Sequence, residues 1–379
     1  MKQKTILFLL FAAIFVNSCS SDKQSNKDLP NIDVKKDYPE KEFILTDIAE
    51  VTYVHLSAKN NDFLYKGTIN YVSENTIVIN DYSSGSILFF SKDGTPRSRF
   101  NRFGEGSQEY KQKYIPQLLY DEKTNEVFIY TMRSDVIMVY TSTGDYLREI
   151  KISKDVNSIN FYDNQSLIIN DQRTFYRISK ADGEVLEQME IPYGEADLKI
   201  KMSSSFSSVS IPLARIVKSS DGYYLCNPEA DTIYLYSNNK SLTPVLYKTP
   251  LSINLDPVII LDNCLDVGKY QFMRVHTRHI SSGTKDSEYP DRFYIRDKKN
   301  GDIFRQKIIL PDYIGKELFV FPIPNQFFHE KSNRIHFELN LLELKEAYKE
   351  NRLSGKLKEL VATLDENNDN NVFMFVDFK

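Results

Sequence analysis

One unit recurs along the chain, and it limits the possible folds more than any other feature: two apolar runs around a polar turn, then a strand that ends near a glycine. It is clearest around Asn80 to Tyr110, where the strand Ser86 to Phe90 precedes the turn Lys92-Asp93-Gly94. An Asp-Gly pair between strands is a strong hairpin signal, because a type I′ turn needs positive φ at both central residues. The unit therefore predicts antiparallel strands joined by short turns.

The spacing of the unit indicates the architecture. The glycines that close corresponding turns, Gly94, Gly144 and Gly183, lie 50 and 39 residues apart. Repeats of roughly 40 to 50 residues with about four strands each are typical of a β-propeller. A pair of β-sandwiches also uses many short strands, but the constant order of the unit favours the propeller. We predict an all-β fold, a six-bladed β-propeller with four-stranded antiparallel blades.

The C-terminal part of the chain changes character. From Leu341 to Leu364 apolar residues are spaced three and four apart, with a break near Asn351 to Gly355, which is an amphipathic helical pattern. We predict a helical insertion at about residues 340–364 and a closing strand from Val372 to Phe378. Because an open sheet edge invites aggregation, we expect a strand within Phe43 to Leu56 to complete the last blade.

Residues 1–18 have the features of a secretory signal. A start with two lysines precedes the apolar run Ile6 to Val16. That run is too short to span a bilayer of roughly 30 Å as a helix, but it is typical of the h-region of a signal. It ends in Val16-Asn17-Ser18-Cys19, which resembles a bacterial lipobox. We predict lipidation at Cys19; the alternative is a plain signal peptide with a chance cysteine.

Residues 19–40 are polar and lack hydrophobic periodicity, which predicts a flexible tether between lipid and domain. The propeller would then occupy residues 41–379. We expect a cell-envelope protein, lipid-anchored at the outer membrane and facing the periplasm or the surface. The formal net charge is −4, and removal of the two signal lysines makes it −6. Nucleic-acid binding is not expected, because neutralising phosphates needs a basic surface.

Two cysteines remain in the mature body, Cys226 and Cys264. An oxidising envelope would permit a disulfide between them. Two buried thiols that behave as small hydrophobic side chains are the alternative, and the sequence favours it, since so sparse a pair is no disulfide framework.

At this point the residues resemble a known family. The lipobox, the strand region Thr46 to Leu56, the unit Asn80 to Gly94 and the loop Asn101 to Tyr110 are together similar to the six-bladed, NHL-like β-propeller lipoproteins of Bacteroides and relatives. Those proteins typically carry G-R-x-G-x-G-P-G-E-Y after the third strand of the first blade. Arg102, Gly104, Gly106, Glu109 and Tyr110 match that loop, and Asn101, Ser107 and Gln108 depart from it. The resemblance implies the fold and little about function, because most members are uncharacterised.

The same loop invites a phosphate-binding interpretation, which its sequence does not support. Gly104-Glu105-Gly106 lacks the third glycine of a dinucleotide fingerprint and the Gly-Lys-Ser/Thr of a P-loop. A propeller connection that needs positive φ explains the glycines better. If the loop binds a ligand, Arg102 would present a bidentate cation and Tyr110 an aromatic face. Arg102, Glu109 and Tyr110 are therefore the candidate binding residues.

Metal-site patterns are incomplete. His276 and His279 are spaced i, i+3, so on a strand they face opposite sides of the sheet. Asp365 to Asn371 alternates like the start of a calcium loop, but Asn370 and Val376 stand where glycine and glutamate are required. We expect no metal and no cofactor, and no catalytic residue is predicted.

The leading functional hypothesis is a monomeric, lipid-anchored envelope propeller that binds a small molecule, a glycan or a protein. The alternative is a hydrolase or lyase acting on glycans or peptides at the channel mouth. Propeller active sites are assembled from distant blades and leave no local signature, so a missing motif does not exclude an enzyme. A mainly structural envelope component is the third option.

Overall fold

The computed structural model describes residues 29–379 apart from 60, 68, 133, 153–155, 172–173, 192–214, 228–229, 252–254, 256–257, 279–290, 319, 321–332 and 367. These residues form 26 strands in six sheets, numbered here in chain order. Five sheets contain at least four strands, and three strands of the sixth are described. Each sheet is one blade, which confirms the predicted propeller.

The first three blades follow the chain without interruption. They are β4 (Ile69–Val72), β5 (Thr76–Asp81), β6 (Ser86–Ser91) and β7 (Pro96–Phe100); β8 (Gln117–Asp121), β9 (Glu126–Tyr130), β10 (Val136–Thr141) and β11 (Tyr146–Lys151); and β12 (Ser158–Phe161), β13 (Ser166–Asn170), β14 (Phe175–Ser179) and β15 (Val185–Met189). Neighbouring strands of each blade are antiparallel.

The other three blades each include a strand from the N-terminal part of the chain. Blade 4 has β16 (Arg215–Ser219), β17 (Gly222–Cys226), β18 (Thr232–Ser237) and β19 (Leu242–Thr249); blade 5 has β20 (Val258–Val267), β21 (Tyr270–Arg278), β22 (Arg292–Asp297), β23 (Ile303–Ile309) and the short β24 (Glu317–Leu318); blade 6 has β25 (Arg334–Leu339) and β26 (Val372–Phe378). The N-terminal strands are β1 (Asn31–Asp33), β2 (Glu40–Ile44) and β3 (Ala49–His55).

Ring closure uses the predicted pair. β3 runs antiparallel to β26, with Ala49 opposite Phe378 and His55 opposite Val372. Beyond the paired strands, the Asn370 side chain donates to the backbone oxygens of Leu56 and Phe63, which are 314 and 307 residues away. Strands from the two ends of the described chain thus share one blade, and the expected closure is confirmed.

The two preceding strands cover the outer edges of other blades. β1 pairs in parallel with β19, and β2 pairs in parallel with β23. Ile32 and Val34 are completely buried. The predicted tether over residues 19–40 is therefore wrong from residue 31 onward, because that segment finds hydrogen-bond partners on sheet edges. Residues 19–28 lie outside the described part of the chain.

The turns that define the repeat differ from the predicted type. Gly94 has φ +89°, whereas Asp93 is not among the described residues with positive φ. The Gly94 N–H donates to Ser91 O and the Ser91 N–H to Thr95 O, and the register between β6 and β7 shifts at this point. A type I turn followed by a left-handed glycine, with a bulge, fits this pattern. The type I′ prediction is wrong, and the glycine requirement is confirmed.

Apolar clusters join each blade to the next around the ring. One cluster spans blades 1 to 3, and others join blades 3 and 4, blades 4 and 5, and blades 5 and 6. Phe373 and Phe375 of blade 6 pack with Ile77 and Phe90 of blade 1. The tyrosine and phenylalanine content thus fills the interfaces between blades, where large rings bury most area.

The helical insertion is confirmed. α1 (Leu45–Ile48) is a single turn before β3, whereas α2 (Leu341–Lys349) and α3 (Gly355–Thr363) form a pair between β25 and β26. The Asn340 side chain accepts hydrogen bonds from the Leu342 and Glu343 N–H groups, a favourable N-cap. Leu344, Ala347, Leu357 and Val361 point into the blade 5–6 cluster. Within the described residues, no helix is long and apolar enough to cross a bilayer.

Gly94→Ala should destabilise the ring more than Gly301→Ala. Both glycines have positive φ, +89° and +79°, so both substitutions carry a backbone penalty of about 1–2 kcal/mol. A Cβ at Gly94 would also lie 2.0 Å from the His55 backbone oxygen on β3, whereas at Gly301 it meets nothing within 4 Å. Urea unfolding of the two variants measures the difference, and equal losses of stability would contradict this account.

Candidate functional site

A cavity of about 480 Å³ lies where the first strands of blades 1 to 4 end, and we call it the mouth pocket. Its walls combine aromatic rings with carboxylates, amides and two lysines: Tyr71, Tyr120, Phe161, Tyr162, Glu74, Asp121, Glu122, Asp163, Asn75, Asn164, Lys123 and Lys218. In blades 1 to 3 the first strand carries an aromatic residue at or near its end, and an acid follows within three positions. Blade 4 adds Lys218 from its first strand. Three copies of one local pattern therefore converge.

Glu122 links blade 2 to blade 1. Its carboxylate accepts hydrogen bonds from Thr76 Oγ1 at 2.6 Å, Ser73 Oγ at 3.0 Å and the Asn75 N–H at 3.1 Å. Arg97 Nη1 lies 3.6 Å away. Burial alone would raise the pKa of this carboxyl, but the hydrogen bonds and Arg97 outweigh burial and hold the pKa below its usual range. This pocket wall is ionised and fixed at neutral pH.

Asp121 links blade 2 to blade 3 through the buried Lys180. The Lys180 ammonium pairs with the Asp121 carboxylate and lies 3.8 Å from Glu126. It also sits 5.2 Å from the centroid of Phe128 and 5.3 Å from that of Phe161. Burial raises the pKa of Asp121, yet the Lys180 hydrogen bond and charge bring it below normal. An ammonium between two rings and two carboxylates therefore supports the pocket floor.

Tyr162 and Asp163 complete the pocket on blade 3. The Tyr162 hydroxyl donates to Ser237 O of blade 4 at 3.1 Å, and its ring centroid is 5.3 Å from that of Tyr236. The Asp163 carboxylate accepts from Ser166 Oγ at 2.7 Å and the Gln165 N–H at 2.8 Å. These bonds outweigh burial and lower the pKa of Asp163. The third wall is ionised as well.

The candidate binding residues predicted from sequence, Arg102, Glu109 and Tyr110, do not line the mouth pocket. In the sequence, the segments around Tyr71, Tyr120 and Tyr162 predict only strands and turns. The available signal was an aromatic residue followed within three positions by an acid, repeated in three consecutive blades. Convergence of those copies depends on the ring geometry, which no local motif contains.

The predicted loop of Arg102, Glu109 and Tyr110 is held by contacts within the protein. Tyr110 is 1% exposed; its hydroxyl donates to Gly85 O at 2.6 Å and accepts from the Arg102 N–H at 3.0 Å. Burial raises the pKa of Tyr110 to about 12, although the Arg102 N–H opposes the shift. Arg102 Nε donates to Gly144 O at 2.7 Å. A ligand-binding role for these residues stays a prediction.

Close approach explains the glycines of this loop. Gly104 and Gly106 are absent from the described residues with positive φ, so the expected reason is wrong. A Cβ on Gly104 would lie 2.0 Å from Glu109 Oε2, which accepts from the Gly106 N–H at 2.8 Å. The glycines make room for the glutamate carboxylate, and the three residues define the shape of the loop.

The two incomplete metal patterns of the sequence do not form a metal site among the described residues. His276 is buried with Nε2 3.2 Å from Asp262, whereas His279 lies outside the described residues. Asp365 and Asp369 hydrogen-bond within their own turn, and the neighbouring Asn367 is not described. Within the described part of the chain, no group of three potential ligands is placed to hold a metal ion.

The two mature cysteines lie in neighbouring blades. Cys226 is buried in β17. Cys264 belongs to β20, and its side chain falls outside the described set. The favoured thiol state of the pair stays a prediction.

Comparison with known proteins supports the fold. A family model described as a 6-bladed beta-propeller matches residues 20–274. A Bacteroides fragilis protein classed as exported has 17% sequence identity and a TM-score of 0.62, with 90% of this chain and 98% of that chain covered. A Bacteroides vulgatus protein has 10% identity and a TM-score of 0.46, with 88% and 97% covered. No curated protein matches the sequence.

Tyr110→Phe should destabilise the protein by about 1–3 kcal/mol, because the Gly85 carbonyl loses a donor and the Arg102 N–H an acceptor in a buried site. Tyr82→Phe is the matched control, since Tyr82 is 49% exposed, and it should change stability by less than about 0.5 kcal/mol. Urea unfolding of both variants measures the effect. A Tyr110 variant as stable as the control would show that its hydroxyl does not support the loop.

Proposed function

This chain belongs to a family of six-bladed β-propellers, and we propose that it is a lipid-anchored ligand-binding module of the cell envelope. The mouth pocket carries the proposal. It is a cavity built from four blades, with rings and ionised carboxylates fixed by contacts that cross from blade to blade. A site whose walls are already ordered loses little entropy when a ligand binds.

The pocket chemistry indicates the ligand class. Aromatic faces pack against the apolar face of a ligand, and carboxylates accept its hydrogen-bond donors. Glu74, Asn164 and Lys123 add exposed polar groups at the rim. A saccharide or a short peptide combines flat apolar surface with donors at its edges, so these are the ligands we propose.

The lowered pKa values of three pocket carboxyls favour a binding role for them over a role as general acids. A general acid needs a carboxyl whose pKa lies near the working pH. The pKa values of Asp121, Glu122 and Asp163 are all lowered. These three acids therefore stay charged near neutrality, which suits them to recognise a ligand. The alternative hydrolase or lyase gains no specific support from this pocket.

The envelope location rests on the N-terminal sequence. The basic start, the short apolar run and Cys19 have the order of a lipoprotein signal. A similar fold occurs in the Bacteroides fragilis protein classed as exported, which is consistent with an exported role here. Lipid on Cys19 is the proposed anchor.

Variants of the pocket rim test the binding site. Purified protein would be screened against glycan and peptide libraries, and the best ligand titrated by calorimetry. The double variant Glu74→Ala, Asn164→Ala should weaken binding about tenfold or more, because hydrogen bonds to a charged group contribute roughly 1.5–3 kcal/mol. The double variant Glu105→Ala, Lys111→Ala is the matched control, because both residues are exposed and lie in or directly after the loop Asn101 to Tyr110, which we call the Arg102 loop. Equal affinities in both double variants would refute the mouth pocket as the site.

Cys19→Ala should release the protein from the membrane fraction, because the acylated thiol is the proposed anchor. Cell fractionation and immunoblotting measure the distribution, with Ser21→Ala as the control that keeps the cysteine. Membrane retention of Cys19→Ala would refute lipidation as the sole anchor.

A further inference from the structure

Exposed apolar side chains concentrate at one end of blades 1 and 2. Ten large apolar side chains are exposed among the described residues. Five of them lie in loops of this region and form what we call the blade 1–2 patch: Leu64, Tyr82, Phe103, Tyr114 and Met132, which are 37% to 56% exposed. A contiguous exposed apolar patch of this kind marks an interaction site.

Contacts between loops bring the patch together. The Tyr82 N–H donates to Lys66 O, two residues from Leu64. Phe103 packs against Gly85, in the loop of Tyr82. The Gln112 side chain, two residues before Tyr114, exchanges two 3.1 Å hydrogen bonds with the Met132 backbone. The first two contacts join the loops of Leu64, Tyr82 and Phe103, and the third joins the segment of Tyr114 to Met132. Lys113, next to Tyr114, lies over the Phe103 ring and so links the two groups into one surface.

The patch and the mouth pocket lie at opposite ends of the blades. The pocket is formed at the turns between first and second strands, as at Glu74 and Glu122. Tyr82 and Met132 occupy loops between second and third strands. Those two sets of connections lie at opposite ends of each second strand, so whatever covers the patch leaves the pocket open.

The chemistry of the patch matches a lipid–water interface. Tyr rings are enriched at the headgroup level of a bilayer, where one side is apolar and the other wet, and Phe and Leu side chains enter the boundary with the acyl chains. Lys66, Lys111 and Lys113 are exposed beside these rings, and Lys113 Nζ lies 5.4 Å from the Phe103 centroid. Lysine stems cover apolar surface while their charges reach the headgroups. Of the acids in these loops, Glu109 bonds the Gly106 N–H and the Asp62 carboxylate lies 3.7 Å from Arg99 Nη2, whereas Glu105 and Asp135 are exposed.

The N-terminal segment enters the fold at the same end. Asn31 pairs with Tyr247, and Tyr247 pairs with Thr232, the first residue of β18. Thr232 directly follows the loop between second and third strands of blade 4, the position that carries Tyr82 in blade 1. The residues between Cys19 and Asn31 span at most about 40 Å when extended. An anchor at Cys19 would hold this end of the disc close to the bilayer.

We propose that the blade 1–2 patch docks on the surface of the bilayer that holds the anchor, so that the mouth pocket faces away from the membrane. The proposal rests in part on the proposed lipid anchor. The lipid surface would cover the five exposed side chains, and the proposed ligand site would face the aqueous compartment.

The absence of tryptophan from the sequence makes the orientation measurable. Full-length Phe103→Trp and Leu147→Trp each contain a single tryptophan, and the native side chains are 40% and 45% exposed. The proteins are reconstituted with vesicles of phosphatidylethanolamine and phosphatidylglycerol, with ordinary or brominated acyl chains. Emission of Phe103→Trp should shift to the blue and lose intensity with brominated lipid. Leu147→Trp, on the outer strand of blade 2, should show neither effect.

Further substitutions test whether the whole blade 1–2 patch, and not residue 103 alone, contacts the lipid. Adding Tyr82→Ser and Met132→Ser to Phe103→Trp should reduce the quenching. Adding Val185→Ser and Leu186→Ser, which lie on the outer strand of blade 3, should not. Equal quenching of Phe103→Trp and Leu147→Trp would overturn the proposal. So would a blue shift of Phe103→Trp that depends on protein concentration without vesicles, because a second copy would then cover the patch.

Adding Cys19→Ala to Phe103→Trp separates this proposal from the anchor. Retained binding and quenching would support the patch and refute the need for acylation. Vesicle binding that depends on Cys19, with no quenching of Phe103→Trp, would support the anchor and overturn the patch.

Discussion

The structure depends on closing a ring of sheets with hydrogen bonds between distant strands. Unpaired backbone groups at a sheet edge seek partners, and a propeller satisfies them by circular pairing and by protecting its rim. Here β3 supplies the last strand of blade 6, and β1 and β2 cover blades 4 and 5 before it. The outer strands of blades 1 and 2, PRSRF and YLREIK, carry charged side chains instead. The rim is thus protected in two ways.

Polar contacts at the mouth pocket perform a related task between blades. Glu122, Lys180 and Tyr162 each belong to one blade and bond to a neighbour. Burying such groups is costly unless every charge has a partner. The carboxylates gain enough from their partners to have lowered pKa values. The interactions that hold blades 1 to 4 in register therefore also shape the cavity. The proposed ligand site and the contacts that stabilise the ring thus share residues.

Much of the fold could be predicted from sequence because it rests on local patterns. Gly94, Gly144 and Gly183 mark turns that need left-handed backbone, and the spacing at Leu341 to Leu364 defines a helix pair. The strands β1 and β2 were missed because edge pairing uses backbone atoms, which no side-chain periodicity reveals. The mouth pocket was missed for another reason: Tyr71, Tyr120 and Tyr162 meet only after three blades are arranged around an axis. The glycines of the Arg102 loop suggested a binding site in the sequence, but in the structure they make room for the Glu109 carboxylate.

The pairing of β3 with β26 also sets an order of events during synthesis. β3 is made early, but its partner, residues 372–378, emerges only after five further blades. Until then the edge of β3 that pairs with β26 is unpaired, and the rings of Phe373 and Phe375 are missing from the interface between blades 6 and 1. Contacts between such distant residues form slowly and leave aggregation-prone edges exposed meanwhile. The growing chain therefore passes through a stage of nearly complete blades in an open arc, with unpaired strand edges exposed.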